Sequence, residues 1–315
     1  MPSTPNAKPL ANHVDALWRN RALRRLALPL LVCTLLAVWL LDPFHFNRPT
    51  DSPQVPSDPA TALLAAELSK NAAHLAAQAK TVAVIIEARP LSNLISILLY
   101  FAGFLGPEWP IHIYHSSANV DLIKSSSAIL THIRHGRIVL HALPETTKLE
   151  THDSISEFLT NAWMWQTLGD ATHALFFQAD SILCGSSPLR PENFLGYSFV
   201  GAPIAPAHGK GFNGGLSLRH IPTMLRTIEK FHWSETRLYE DQWFANHIPL
   251  LTDPPAPPLP TIEQSKYFAV ETIWAEKPMG YHQAKRWNAG RMSEILEWCP
   301  ELALAEEGTL HNRPV

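Results

Sequence analysis

Residues 174–181 read Ala174-Leu175-Phe176-Phe177-Gln178-Ala179-Asp180-Ser181. An unbroken short apolar run that stops in polar turn residues predicts a strand buried on both faces, here Ala174–Gln178. Asp180 then stands at the carboxyl end of that strand, the end at which open α/β sheets present their ligands. Upstream, Thr81–Glu87 (TVAVIIE), Pro110–His115 and Ile138–Leu140 read as further strands. Between them, Leu91–Leu105, Asp121–Leu130 and Ser154–Leu168 carry apolar residues at helical spacing. Strands alternating with helices predict an α/β domain, a mostly parallel sheet flanked by helices. After Pro203 the pattern becomes irregular, and the Pro-rich Asp253–Pro260 (DPPAPPLP) predicts an extended surface loop.

At 315 residues and 46% apolar, the chain is long enough for one sizeable core plus extra segments at its ends. Its 28 acidic and 25 basic residues leave a formal charge of −3, with no block of like charge to act as a polyanion-binding arm. That excludes nucleic acid as an expected partner. Three cysteines occur and Cys33 lies in a long apolar run, so at most Cys184 and Cys299 are placed to pair in an oxidising compartment. No CxxC, HExxH or zinc-finger spacing is present, which removes the stronger structural-metal readings.

Leu26–Leu41 (LALPLLVCTLLAVWLL) is uncharged and follows a basic segment holding Arg19, Arg21, Arg24 and Arg25. As a helix the run spans about 24 Å, a fit for the thinner membranes of the early secretory pathway. Arginines before it and only Arg48 close after it put the N-terminus in the cytosol and the remainder in the lumen, a single-pass type II topology in Golgi or endoplasmic reticulum. A cleaved signal peptide is the alternative, and Asp42–Phe46 (DPFHF) offers it no small-residue cleavage site. The expected organisation is a cytosolic tail (1–25), an anchor (26–41), a Pro/Ser-rich stem and lead-in helix (42–79), a catalytic domain (80–305) and a tail (306–315).

Four segments could carry chemistry. Asp180 is a strand-end carboxylate, and Mg²⁺ or Mn²⁺ on a diphosphate needs only one or two of these; the plain alternative is a capped turn. In Phe212–Arg219 (FNGGLSLR), Gly214 and Gly215 permit close backbone approach and Asn213 offers donors and acceptors, the alternative being a tight turn with positive φ. Glu240 and Asp241 open a predicted helix, either as complements of its dipole or, for one of them, as a base for a hydroxyl. Pro278–Trp287 (PMGYHQAKRW) sets His282, a possible metal ligand, beside Lys285 and Arg286, which could neutralise a diphosphate; polar surface is the alternative.

Taken in order, QADS, NGGLSLR, EDQWF and GYHQAKRW resemble a family of fungal and protist proteins of unassigned function, the domain of unknown function 5672, itself similar to GT-A nucleotide-sugar glycosyltransferases. The resemblance runs over roughly 80–300 and takes in VAVIIEAR (Val82–Arg89) and NFLGYSFVGAP (Asn193–Pro203). It implies a GT-A-like, Rossmann-like fold and transfer of a sugar from a nucleotide-sugar donor to a glycan or glycoconjugate acceptor. It further implies Asp180 and His282 as metal contacts for Mn²⁺ or Mg²⁺, and Glu87, Arg89, Gln178, Asn213, Gly214, Gly215 and Lys285 around nucleotide and sugar. Glu240–Asp241 is similar to the acidic pair that supplies a base, with Asp241 favoured. Gln178 stands where such enzymes carry the first acid of Asp-x-Asp. That departure supports the alternative of a catalytically silent, membrane-anchored sugar- or nucleotide-binding protein of the same fold.

Overall fold

The computed structural model describes residues 80–305, all within the second of the chain's two units, Pro53–Val315. The predicted anchor, stem, lead-in helix and C-terminal tail lie outside the described residues. In chain order the elements are β1 (Thr81–Glu87), α1 (Leu94–Leu105), β2 (Ile111–His115), α2 (Val120–Ser125), α3 (Ser127–Arg134), β3 (Ile138–Ala142), α4 (His152–Leu159), α5 (Ala162–Gln166), β4 (His173–Phe177), β5 (Ser181–Leu183), β6 (Phe199–Pro203), β7 (Phe212–His220), α6 (Ile221–Lys230), α7 (Glu240–His247), α8 (Ile262–Phe268), β8 (Ala269–Val270), β9 (Gly280–His282), α9 (Ala284–Asn288) and α10 (Met292–Trp298). Among the described residues no helix is long and apolar enough to cross a membrane.

Six strands form the main sheet in the order β3-β2-β1-β4-β7-β6. β3, β2, β1 and β4 run parallel, and β7 is reversed between β4 and β6, so the sheet is mostly parallel. The apolar runs inside β1 (Val82–Ile86) and β4 (Ala174–Phe177) follow from a core on both sides. Along β1, Ala83 and Ile85 join one cluster with Leu94, Leu98 and Phe101 of α1, whereas Val82 and Val84 join a second with Trp165 of α5, Met224 of α6 and Trp243 of α7. A three-stranded sheet, β5-β9-β8, lies with the first cluster, which includes Ile182, Leu183, Tyr281 and Val270. Cys184, just after β5, is disulfide-bonded to Cys299, just after α10, with their Cα atoms 4.9 Å apart.

Three local readings are corrected. The predicted helix 121–130 is two helices, because Ser126 takes an extended backbone and its Oγ accepts from the Ile129 N–H, capping α3. The predicted helix 154–168 is broken in the same way, with Asn161 capping α5 through the Trp163 N–H. Where irregular structure was expected beyond Pro203, β7 runs for nine residues with Gly214 and Gly215 inside it. Neither glycine has positive φ, so no tight turn forms there.

Candidate active site at the carboxyl ends of β1 and β4

The chain runs from β1 outward to β2 and β3, then returns to place β4 on the other side of β1. This order makes the carboxyl ends of β1 and β4 the switch point, where adjacent connections diverge and leave a crevice. Glu87 ends β1 and is buried. It accepts three hydrogen bonds from Arg89: from Nε and Nη2 at 2.8 Å each and from the backbone N at 2.9 Å. The fork fixes an arginine that is itself largely exposed. Asn119 Nδ2 donates to the Glu87 carbonyl (2.7 Å) and Ser116 Oγ to that of Ala88 (2.6 Å), pinning the turn. Across the crevice the QADS turn is closed by Ser181, whose Oγ donates to the Gln178 carbonyl at 2.8 Å. Asn93 Nδ2 ties the two banks together through the Ala179 carbonyl (2.8 Å).

His282 reaches Asp180 across 102 residues of sequence because β5 and β9 pair antiparallel, Ser181 opposite His282. On its other side β9 pairs with β8, Val270 opposite Tyr281, which brings the next residue, Glu271, beside His282. The buried imidazole is thus held between two acids, with Nδ1 donating to Glu271 Oε1 at 3.1 Å and Nε2 3.4 Å from Asp180 Oδ1. Nε2 also lies 3.1 Å from Gln178 Oε1. Burial alone would strip the ring of charge, but hydrogen bonds to Asp180 and Glu271 outweigh it and lift its pKa to about 9. Burial would likewise raise the Asp180 carboxyl, and the His282 hydrogen bond and charge hold it below its usual range instead.

Among the described residues no three His, Cys, Asp or Glu side chains are grouped to hold a metal by themselves. The donor set nevertheless fits a divalent cation that is also bound by phosphate. Asp180 Oδ1 and the amide oxygen Gln178 Oε1 lie 3.4 and 3.1 Å from His282 Nε2, so the three donors converge, and a diphosphate and water would supply the remaining positions. A cation would take the Nε2 lone pair in place of its proton, while Nδ1–H stays on Glu271.

The paired glycines let two acidic centres meet β7 from its opposite faces. A Cβ on Gly215 would sit 2.3 Å from His282 Nε2, and one on Gly214 would sit 2.6 Å from both Arg219 Nη2 and Glu240 Oε1. Arg219 is fully buried and forms a two-pronged ion pair with Glu240 at 2.9 and 3.0 Å. Its guanidinium lies over the rings of Phe176 and Phe199, 4.6 and 4.9 Å from their centroids. Glu240 is therefore occupied. Asp241, one position on, turns to the start of β7, where its Oδ2 accepts from the Gly214 N–H (2.9 Å) and its Oδ1 from the Gln242 N–H (2.7 Å). Burial, then the neighbouring Glu240 charge, raises its pKa to about 7. Asn213 Oδ1 accepts from the Gly215 N–H at 2.7 Å and holds the same stretch of β7.

Residues 137–282 match the family model described as "Protein of unknown function (DUF5672)". That segment runs from the start of β3 to His282 and contains Gln178, Asp180, Asn213–Gly215, Glu240 and Asp241; Glu87, Arg89 and Lys285 lie outside it. No curated protein matches the chain. Among solved structures the chain is similar to the apo form of the glycosyltransferase GlyE of Streptococcus pneumoniae TIGR4, at 12% identity and TM-score 0.41, over 65% of this chain and 54% of that one. It is similar to the mannosyltransferase PcManGT of Pyrobaculum calidifontis, in complex with GDP-Man and Mn²⁺, at 11% identity and TM-score 0.38, over 64% of this chain and 66% of that one. The galactosyltransferase LgtC, with donor and acceptor sugar analogues, is similar at 12% identity and TM-score 0.40, over 70% of this chain and 96% of that one. The chain thus spans about half the length of the GlyE structure, and none of these likenesses assigns a role to any of its residues.

Within the DUF5672 segment the structure adds two residues that the sequence motifs did not single out. Arg219 is the last letter of NGGLSLR and carried no role there, yet it is the fully buried partner of Glu240. Glu271 lies in no motif; only the β8–β9 register brings it to His282. Lys285 and Arg286 stand exposed on α9, which starts beside the site because Gln283 N donates to the Asp180 carbonyl at 3.0 Å. A cavity of about 550 Å³ lies at the opposite, amino ends of β1 and β4, lined by Lys80, Thr81, Trp109 and Leu168, and contains none of these groups.

Proposed function

We propose that this protein is a glycosyltransferase that moves a sugar from a nucleotide diphosphate sugar to a hydroxyl of a glycan, protein or lipid acceptor in the secretory lumen. The observation that carries the reading is the placement of Asp180 and His282 together at the β1/β4 switch point. Asp180 and His282, with help from Gln178, would hold Mg²⁺ or Mn²⁺, which would neutralise the leaving diphosphate. Arg89, oriented by Glu87, and Lys285 on α9 add fixed positive charge at the same end of the sheet. In transfer, the acceptor oxygen bonds to the anomeric carbon, and the anomeric C–O bond to phosphate breaks with its electron pair passing to the diphosphate. The hydroxyl proton passes to Asp241, whose pKa of about 7 suits a base working near neutrality.

The Cys184–Cys299 disulfide supports a luminal domain, because such bonds persist in oxidising compartments. The proposed anchor is Leu26–Leu41, oriented by the arginines before it. Gln178 favours a second reading, an anchored nucleotide-sugar-binding protein without turnover. Assays of transfer and donor hydrolysis over a panel of nucleotide sugars, with and without Mn²⁺, alongside calorimetry with nucleoside diphosphates, separate the two. Turnover supports the enzyme. Nucleoside diphosphate binding that weakens in Asp180→Ala, without turnover on any donor, supports the silent protein. No binding in either assay removes both.

A further inference from the structure

Glu271 poses a question that transfer chemistry does not answer. Its carboxylate is buried at 5% exposure, on a residue outside every motif, and points at an imidazole that is 3% exposed. A carboxylate that far from water is costly unless its partner is fixed, and its partner here is His282 Nδ1–H. The surrounding backbone leaves it little freedom. Val270 is paired in β8, the Glu271 carbonyl accepts from Asn288 Nδ2 at 2.8 Å, and the Thr272 hydroxyl accepts from Ala205 N at 2.9 Å. The acceptor oxygen is therefore placed by the sheet and its flanks.

We infer that Glu271 is a positioning residue for a divalent cation: by accepting from Nδ1 it fixes the tautomer of His282 and aims the Nε2 lone pair at the point shared with Asp180 Oδ1 and Gln178 Oε1. The inference rests on the reading of Asp180 and His282 as cation ligands. A carboxylate bonded to the far nitrogen of a ligating imidazole fixes the ring and raises its basicity. Gly215 completes the arrangement by leaving the ring room on its β7 side.

The test is Mn²⁺ binding to the full-length chain, read from the free-ion signal in electron paramagnetic resonance, with Mn²⁺ alone and with UDP or GDP added. Glu271→Leu removes the acceptor and is expected to weaken Mn²⁺ about 10- to 100-fold. Glu271→Gln keeps an acceptor oxygen without the charge, and is expected to fall between Glu271→Leu and wild type. Long-range proton–nitrogen correlations of the metal-free chain should show the His282 Nδ1 proton losing its hydrogen-bonded shift in Glu271→Leu. A Glu271→Leu chain that melts like wild type and binds Mn²⁺ within about threefold of it overturns the inference. If that variant does not fold, Glu271→Asp, one methylene shorter, decides: affinity equal to wild type overturns, and a loss of tenfold or more supports. Mn²⁺ binding lost in Asp180→Asn but kept in Glu271→Leu sinks this inference alone. A wild type that binds nucleoside diphosphate but no Mn²⁺ sinks the cation reading and this inference with it.

Discussion

Asp241 is a carboxyl held near its proton. Its two backbone hydrogen bonds favour the ionised form, but burial and Glu240 outweigh them and set its pKa at about 7. As the base of the proposed transfer it must be ionised, so kcat/KM should rise with pH about tenfold per unit below 7 and level off above it. Asp241→Asn should lower turnover at least about 100-fold with little change in nucleoside diphosphate affinity. The same proton gives a stability signature. A carboxyl raised on folding contributes stability that is fully present below its unfolded value of about 4 and lost as pH rises through 7. The melting temperature of Asp241→Asn should therefore gain on wild type between pH 4 and 7 and hold that gain above 7; a constant difference over that range argues against the raised carboxyl. Gly215 makes a complementary prediction. A methyl there would meet His282 Nε2 at 2.3 Å, so Gly215→Ala must displace the ring. Since a shift of about 1 Å in a site is able to cost about 100-fold, Gly215→Ala should abolish most Mn²⁺-dependent nucleotide binding while the far-ultraviolet circular dichroism stays that of wild type.

At the scale of elements, β7 is constrained at both glycines, since His282 closes on Gly215 and the Arg219–Glu240 pair on Gly214. Breaking a buried pair strands the surviving charge and costs about 3–5 kcal/mol, more than two apolar replacements together. Glu240→Gln should therefore lower the urea midpoint sharply, and Arg219→Leu with Glu240→Leu should recover part of that loss; a double variant less stable than the single would show that the pair itself stabilises the chain. Such constraints also decide how much was legible in the sequence. β1 and β4 are readable because strands buried on both faces carry unbroken apolar runs, Val82–Ile86 and Ala174–Phe177, and their ends then locate the crevice. The breaks at Ser126 and Asn161 were not, because apolar spacing continues across them and the interruption lies in one capping oxygen each. β7 is not legible because Gly-Gly favours a turn locally, whereas the side chains that demand glycine there come from five residues along the strand (Arg219), from α7 (Glu240) and from β9 (His282). Asp180 and His282 were legible as chemical types in motifs. Glu271 was not, because its role depends on a register between two strands of two and three residues.

For the whole molecule, compartment and fold bear on the same cysteines. Cys184 and Cys299 close a loop across 115 residues, joining the strand that follows Asp180 to the end of α10. Such a bond persists in oxidising compartments, and the proposed membrane anchor at Leu26–Leu41 with its arginines in the cytosol would deliver the domain to one. The two proposals are independent in origin and testable in one preparation. After alkaline carbonate extraction of membranes the full-length chain should remain in the pellet; recovery in the supernatant with an N-terminus beyond residue 41 would instead mark a cleaved signal peptide. If the pelleted chain is then denatured without reductant and treated with a maleimide mass tag, only Cys33 of the three cysteines should react, and reduction should raise the count to three. A pelleted chain that takes three tags before reduction would have its domain in a reducing compartment. In that case the positive-inside reading of the arginines fails, and transfer to secretory glycans fails with it, while the chemistry proposed at Asp180, His282 and Asp241 would then have to act on cytosolic acceptors.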